Sequence, residues 1–134
     1  LRMVVGSFLG KHLRINWTEG EKHFRNCLLD FNKANNVAQW QWVAGCGADA
    51  APYFRIFNPI LQGEKFDKEG KYVKKWVPEL NKVPQKFIHK PWEMEVKYQQ
   101  AINTIIGKDY PKPIVIHEEA RASALKAFQS LKKN

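Results

Sequence analysis

The chain has 134 residues, 44% of them hydrophobic, which is one domain's worth of core or a piece of a larger domain and excludes a wholly disordered chain. Lys and Arg number 22 against 13 acidic residues, and the resulting net charge of +9 favours a polyanionic partner, because neutralised phosphates release condensed counterions. No apolar run approaches the ~20 residues that cross a bilayer, and no basic stretch leads into an apolar segment of the secretory kind.

Residues 1–13 carry Leu1, Val4, Val5, Phe8 and Leu9 at the spacing of one helical face. Leu1 reads as the middle of a helix, so the chain is expected to continue on its amino side. Thr18, three residues before Glu21, forms a capping-box pattern. It predicts a second helix that buries Phe24, Cys27 and Leu28 and ends near Leu29-Asp30. Asp30-Phe31-Asn32 connects to a third helix through Val43, which Gly45-Cys46-Gly47 breaks. An aromatic-rich loop follows, with Pro52, Tyr53, Phe54 and Phe57. Asn58-Pro59 predicts an N-cap with proline in the first helical position, opening a short helix with Gln62, Lys65 and Phe66.

Residues 68–77 predict another helix with Tyr72, Val73, Trp76 and Val77 on its apolar side, stopped by Pro78. Residues 83–91 read as irregular, 92–106 as helix-compatible, and Tyr110-Pro111-Lys112-Pro113 as a linker. Pro113-Ile114-Val115-Ile116 is ambiguous between strand and loop. Residues 117–133 predict a final amphipathic helix with Ala120, Ala124, Ala127, Phe128 and Leu131 inward. The fold class is all-α. Cys27 and Cys46 form no CxxC pair and have no His at metal spacing, which points to a reduced compartment and to no metal. His12, His23, His89 and His117 are scattered and read as surface or packing residues.

Three constellations stand out. The first is Trp17, Trp40 and Trp42. Indoles commonly pack cores, yet residues two apart on a helix point in different directions. One of Trp40 and Trp42 can therefore face the interior and the other a groove, where an indole can stack on an unstacked base. The second is Asp30-Phe31-Asn32 followed by Ala34-Asn35-Asn36. These residues suit caps and turns, and they equally suit a helix amino-terminus facing the polar edge of a planar cofactor. The third runs from Ala51 through Asn58-Pro59 to Gln62-Gly63-Glu64-Lys65-Phe66-Asp67. It reads as a packed connector or as an aromatic and basic nucleic-acid contact with Arg55 and Lys65.

Trp40-Gln41-Trp42, the run Asp49-Ala50-Ala51-Pro52-Tyr53-Phe54-Arg55-Ile56-Phe57-Asn58-Pro59, and Gln62-Gly63-Glu64-Lys65-Phe66-Asp67 closely resemble the signature of the photolyase/cryptochrome family. Trp76-Val77-Pro78-Glu79-Leu80 and Tyr110-Pro111-Lys112-Pro113-Ile114-Val115 agree with it, so the resemblance covers essentially the whole chain. It implies the carboxy-terminal part of the helical FAD-binding domain over residues 1–134, without the amino-terminal α/β antenna domain. The subfamily it resembles is the class I cyclobutane pyrimidine dimer photolyases. The implied activity is light-driven electron transfer from reduced, anionic FAD to a dimer flipped out of the duplex. A folate or deazaflavin antenna pigment would sit in the missing domain, and the partner is DNA carrying pyrimidine dimers.

The same resemblance implies roles residue by residue. Arg2, Asp30, Phe31, Asn32 and Asn36 match cofactor-binding positions, with Arg2 paired to Asp30 and Asn36 facing flavin N5. Trp17 and Trp40 match two members of an electron relay. Met3, Trp42 and Gln62 match contacts to the lesion or DNA. Asn32 stands where many relatives have Asp, so a ring contact that needs a carboxylate there is in doubt. Ala38-Gln39 replaces a small Gly-rich pair. A cryptochrome-type photoreceptor without repair activity is the runner-up, which Met3, Asn36 and Trp42 disfavour. A helical nucleic-acid module without cofactor is a third reading. The expected location is cytoplasmic, nucleoid-associated in a bacterium. The fragment alone is expected to be inactive and prone to self-association through an exposed half-core.

Overall fold

In the computed structural model, residues 1–51 and 54–131 are described, and among them the secondary structure is helical apart from one isolated bridge between Ile106 and Tyr110. Pro52 and Tyr53 of the aromatic loop, and Lys132 and Lys133 of the expected last helix, lie outside the described residues. The ambiguous run at 113–116 forms no strand. The chain divides into two compact units, Leu1–Phe57 with Val115–Asn134, and Asn58–Ile114.

The first unit opens with α1 (Arg2–Ser7), which widens into a π-helical turn at Phe8–His12 closed by the Leu13 N–H on the Phe8 carbonyl at 3.0 Å. Then come α2 (Trp17–Cys27) and α3 (Lys33–Ala44), packed against each other. The capping-box expectation is corrected. Asn16 caps α2, its Oδ1 accepting the Thr18 N–H at 3.1 Å, and Glu21 points instead into the interior. Leu28 adopts an extended backbone, so α2 ends at Cys27, before the expected Leu29-Asp30, and Cys27 is exposed. Asn32 caps α3 by accepting the Asn35 N–H at 3.0 Å. Gly45 closes α3 at φ +79, a left-handed conformation that favours glycine.

Two elements, α4 (Pro59–Phe66) and α5 (Lys71–Trp76), begin the second unit. Asn58 Oδ1 accepts the N–H groups of Ile60 and Leu61 at 3.0 and 3.2 Å, with Pro59 in the first turn as expected. Asp67 caps α5, its two carboxylate oxygens accepting the Tyr72 and Val73 N–H groups at 3.0 and 3.1 Å. Only Val73 and Val77 of the expected apolar side reach the core; Tyr72 and Trp76 are exposed. That core is Leu80, Val83, Ile88 and Met94, held by short 3₁₀ turns around them. α-Helix in 92–106 is confined to α6 (Val96–Ala101), with a 3₁₀ turn at Pro91–Glu93 before it. Buried Gln99 takes over beyond it, donating to the Met94 carbonyl at 2.8 Å and accepting the Ile106 N–H at 2.9 Å.

Helix α7 (His117–Leu131) returns to the first unit and packs on the π-helical turn. Ala124 is buried and Phe128 stacks on Phe54, ring centroids 4.4 Å apart, while Leu131 is exposed against expectation. His117, at the start of α7, meets His12 through ring nitrogens 2.8 Å apart.

Candidate functional site

Helices α1, α2 and α3 enclose a pocket of about 220 Å³. One side of it is polar, with Asp30, Asn32, Asn35 and Asn36 around the amino-terminus of α3. The apolar part of the lining is Met3, Phe24, Leu28, Trp40 and Val43. The α2–α3 connector supplies Asp30, and the first turn of α3 after its Asn32 cap supplies Asn35, which is exposed, and Asn36, which is buried. Arg2 reaches across from α1 and donates to both Asp30 oxygens at 2.8 and 3.0 Å. That hydrogen bond, with the opposite charge, holds the Asp30 carboxyl below the usual carboxylate range.

Asn36 is buried and its orientation is fixed. Its Nδ2 donates to the Glu21 backbone carbonyl at 3.0 Å and to Glu21 Oε1 at 3.1 Å. Glu21 is itself gripped by Arg25, whose NH2 group lies 2.5 Å from Oε2. Hydrogen bonding from Arg25 keeps the Glu21 carboxyl low and therefore an acceptor. With both N–H directions committed to Glu21, the Asn36 amide oxygen is the atom left for a ligand in the pocket. Glu21, which fixes the Asn36 amide beside the pocket, is the residue that sequence reasoning missed. Its capping-box spacing hid it, and the Arg25 at i+4 was the available signal of a held carboxylate.

Trp40 is buried, edge-on to Phe24 with ring centroids 5.0 Å apart and 74° between planes. It sits so close to α2 that a Cβ at Gly20 would lie 2.2 Å from its ring, and this is why α2 has glycine there. Trp40 borders the first pocket and also a hollow of about 280 Å³ that Trp17 lines from α2. Trp42, two residues on, faces a different cavity of about 100 Å³ with Lys11, Arg55 and Phe57. Met3 and Val43 line both this cavity and the first pocket, so the two spaces adjoin. Phe31 is half-buried and does not line the first pocket. Gln62 lies on α4 in the second unit, half-buried.

A lining that combines the polar Asp30 and Asn36 with the apolar Phe24, Leu28 and Trp40 suits one edge of a planar ring system with hydrogen-bonding atoms, such as a flavin. Among the described residues no helix is long and apolar enough to cross a membrane.

Among the described residues the fold is helical, with a pocket of mixed polarity lined from α1, α2 and α3. The family described as the FAD binding domain of DNA photolyase matches residues 1–130, and this chain belongs to it. The deoxyribodipyrimidine photo-lyase of Agrobacterium fabrum is 56% identical over 133 residues, covering 99% of this chain and 28% of that protein. A class III photolyase structure from Agrobacterium tumefaciens superposes with a TM-score of 0.91 at 56% identity, over 99% of this chain and 28% of its own. A Synechocystis cryptochrome superposes at 0.87 with 36% identity, over 93% of this chain and 26% of its own. The chain thus spans about a quarter of the length of these relatives.

Proposed function

We propose that the protein of which these residues are a part is a deoxyribodipyrimidine photo-lyase, and that residues 1–134 are the carboxy-terminal part of its FAD-binding domain. The observation that carries this reading is the wall shared by two spaces. The pocket with Arg2, Asp30 and Asn36 adjoins the Trp42 cavity through Met3 and Val43. A flavin edge in the first and a flipped-out pyrimidine dimer against the second would be separated by one layer of side chains. When bound, FAD supplies the light-driven electron donation that splits a cyclobutane dimer.

The chain's own residues do the rest. Arg2 and Asp30, tied together as an ion pair of no net charge, set a polar edge at the pocket against which the flavin ring would lie. Asn36 presents an amide oxygen held by Glu21 and supplies no acidic proton. Trp40 and then Trp17 form a path from the pocket toward the hollow they share, as an electron relay requires. Met3 and Trp42 offer apolar and stacking surface to the lesion, and Gln62 is a DNA contact. The antenna pigment, of folate or deazaflavin type, belongs to an α/β domain outside these residues. The motifs first suggest class I; the 56% identity to a structure called class III supports that subdivision instead.

The test is irradiation of the FAD-loaded protein with reductant and an oligonucleotide carrying one thymine dimer. Loss of the dimer in light and not in darkness is the expected result. A protein that binds FAD yet leaves the dimer intact is a photoreceptor of the cryptochrome kind, and the repair reading fails.

A further inference from the structure

We propose that Gln39 is a further flavin contact that sets the reduction potential of the bound ring, its side-chain amide donating the hydrogen bond that Asn36 has no N–H left to give. The inference rests on the reading that this pocket receives the edge of FAD.

The pocket-facing side of α3 is one stripe. Asn32, Asn36, Gln39 and Val43 follow one another at i, i+4, i+7 and i+11, the spacing of a single helical face, and all four line the pocket. The other polar groups of this lining are largely engaged. Asn32 Oδ1 accepts the Asn35 N–H at 3.0 Å, Asn36 Nδ2 donates twice to Glu21, and Asp30 is held by Arg2. What Asn36 and Asp30 offer a ligand is therefore oxygen.

Gln39 is differently placed. It is exposed, and among the described residues its side chain forms no hydrogen bond, so its two N–H groups and its oxygen are all free. Asn35 has a free amide too, but it stands about 100° round the helix from Asn36, against about 60° for Gln39. Ala38-Gln39 replaces the small pair of the family pattern, so this amide is a feature of the chain itself.

A ring edge that carries nitrogen and oxygen acceptors needs a donor facing it, and an amide supplies one without a charge. Reduction of a flavin by two electrons and one proton leaves a negative charge on the ring. A donor at its edge therefore holds the reduced form more tightly than the oxidised one, and the potential rises.

The experiment is a redox titration of the full-length, FAD-loaded protein against reference dyes in the dark, read from the visible absorption of oxidised flavin. Wild type, Gln39→Leu and Gln39→Glu are compared. Gln39→Leu removes the donors and should lower the ratio of reduced to oxidised flavin at fixed potential about tenfold, as for a hydrogen bond to a charged group. For a two-electron couple that is about 30 mV. Gln39→Glu removes the donors and adds a negative charge, so it should move the couple further in the same direction.

A Gln39→Leu ratio within about twofold of wild type, or a Gln39→Glu potential no lower than that of Gln39→Leu, overturns the proposal. Where either variant releases its flavin, Gln39→Ala takes its place, and a ratio that close to wild type overturns the proposal equally. A wild type that takes up no FAD overturns the reading of the pocket and this inference together. A wild type that takes up FAD, with a potential that Gln39 does not move, overturns this inference alone.

Discussion

Between residues 58 and 114 the interior is an ordinary apolar one, with Leu80, Val83, Ile88 and Met94 in contact and Gln99 bonding the backbone beside them. In the other unit the buried polar side chains Ser7, Lys11, His12, Glu21 and Asn36 sit beside Trp40, Val43 and Ala124. Each of these polar groups has a job that apolar packing cannot do. Ser7 and Lys11 fix a loop, Glu21 fixes an amide, and His12 fixes α7. The difference teaches which unit is scaffold and which is site: stability concentrates where the interior is apolar, and function where it is polar and hydrogen-bonded.

The largest effect should come from the apolar interior. Leu80→Ala leaves a cavity among Val83, Ile88 and Met94 and should cost ~2–5 kcal/mol in urea unfolding. A loss well under 1 kcal/mol would remove the contrast. In the site unit the comparable test is an added methyl. Gly20→Ala puts a Cβ at 2.2 Å from the Trp40 ring, which must shift, at ~1–3 kcal/mol. Because Trp40 borders the ligand pocket, the same variant should also slow photoreduction of bound flavin, measured by flash absorption. Unchanged kinetics would separate Trp40 from the relay.

Much of this is legible in the residues. Asn58-Pro59, Gly45 and the amphipathic run ending in α7 have local physics strong enough to survive folding, and they appear where the pattern puts them. The Trp40/Trp42 divergence follows from helical geometry alone. Glu21 escapes a reading of the sequence because two caps compete at one helix start, and Asn16 wins with an oxygen already next to the Thr18 amide. Tyr72 and Trp76 look like core because their spacing matches Val73 and Val77, yet a six-residue helix has one face to bury. The π-helical turn has no sequence signal, so the placing of Lys11 and His12 cannot be read in advance.

Trp42→Ala sharpens the comparison at the cavity itself. It should weaken binding to dimer-containing DNA by ~1–3 kcal/mol while binding to undamaged duplex changes little. An equal loss on both substrates would make Trp42 a general packing residue of the unit.

The smallest effect is a pH dependence confined to the polar interior. Burial, and then the neighbouring His117, push the His12 imidazole below its ordinary pKa, partly offset by the Ser7 backbone carbonyl. A histidine whose folded pKa lies below its unfolded one binds its proton more readily when the chain unfolds. Its stabilising contribution is therefore complete above about pH 6.5 and is lost as the pH falls through that value toward the folded pKa. What weakens is the hold on α7, because protonation leaves His12 Nε2 able only to donate to His117 Nδ1 and puts a buried charge beside that ring. Thermal unfolding followed from about pH 7.5 down to about pH 5.5 should show a decline smaller than either loss above, and His12→Gln should flatten it. A variant that declines as steeply as wild type would place the acid sensitivity outside this pair and assign the hold on α7 to its apolar contacts, the Phe54–Phe128 stack first among them.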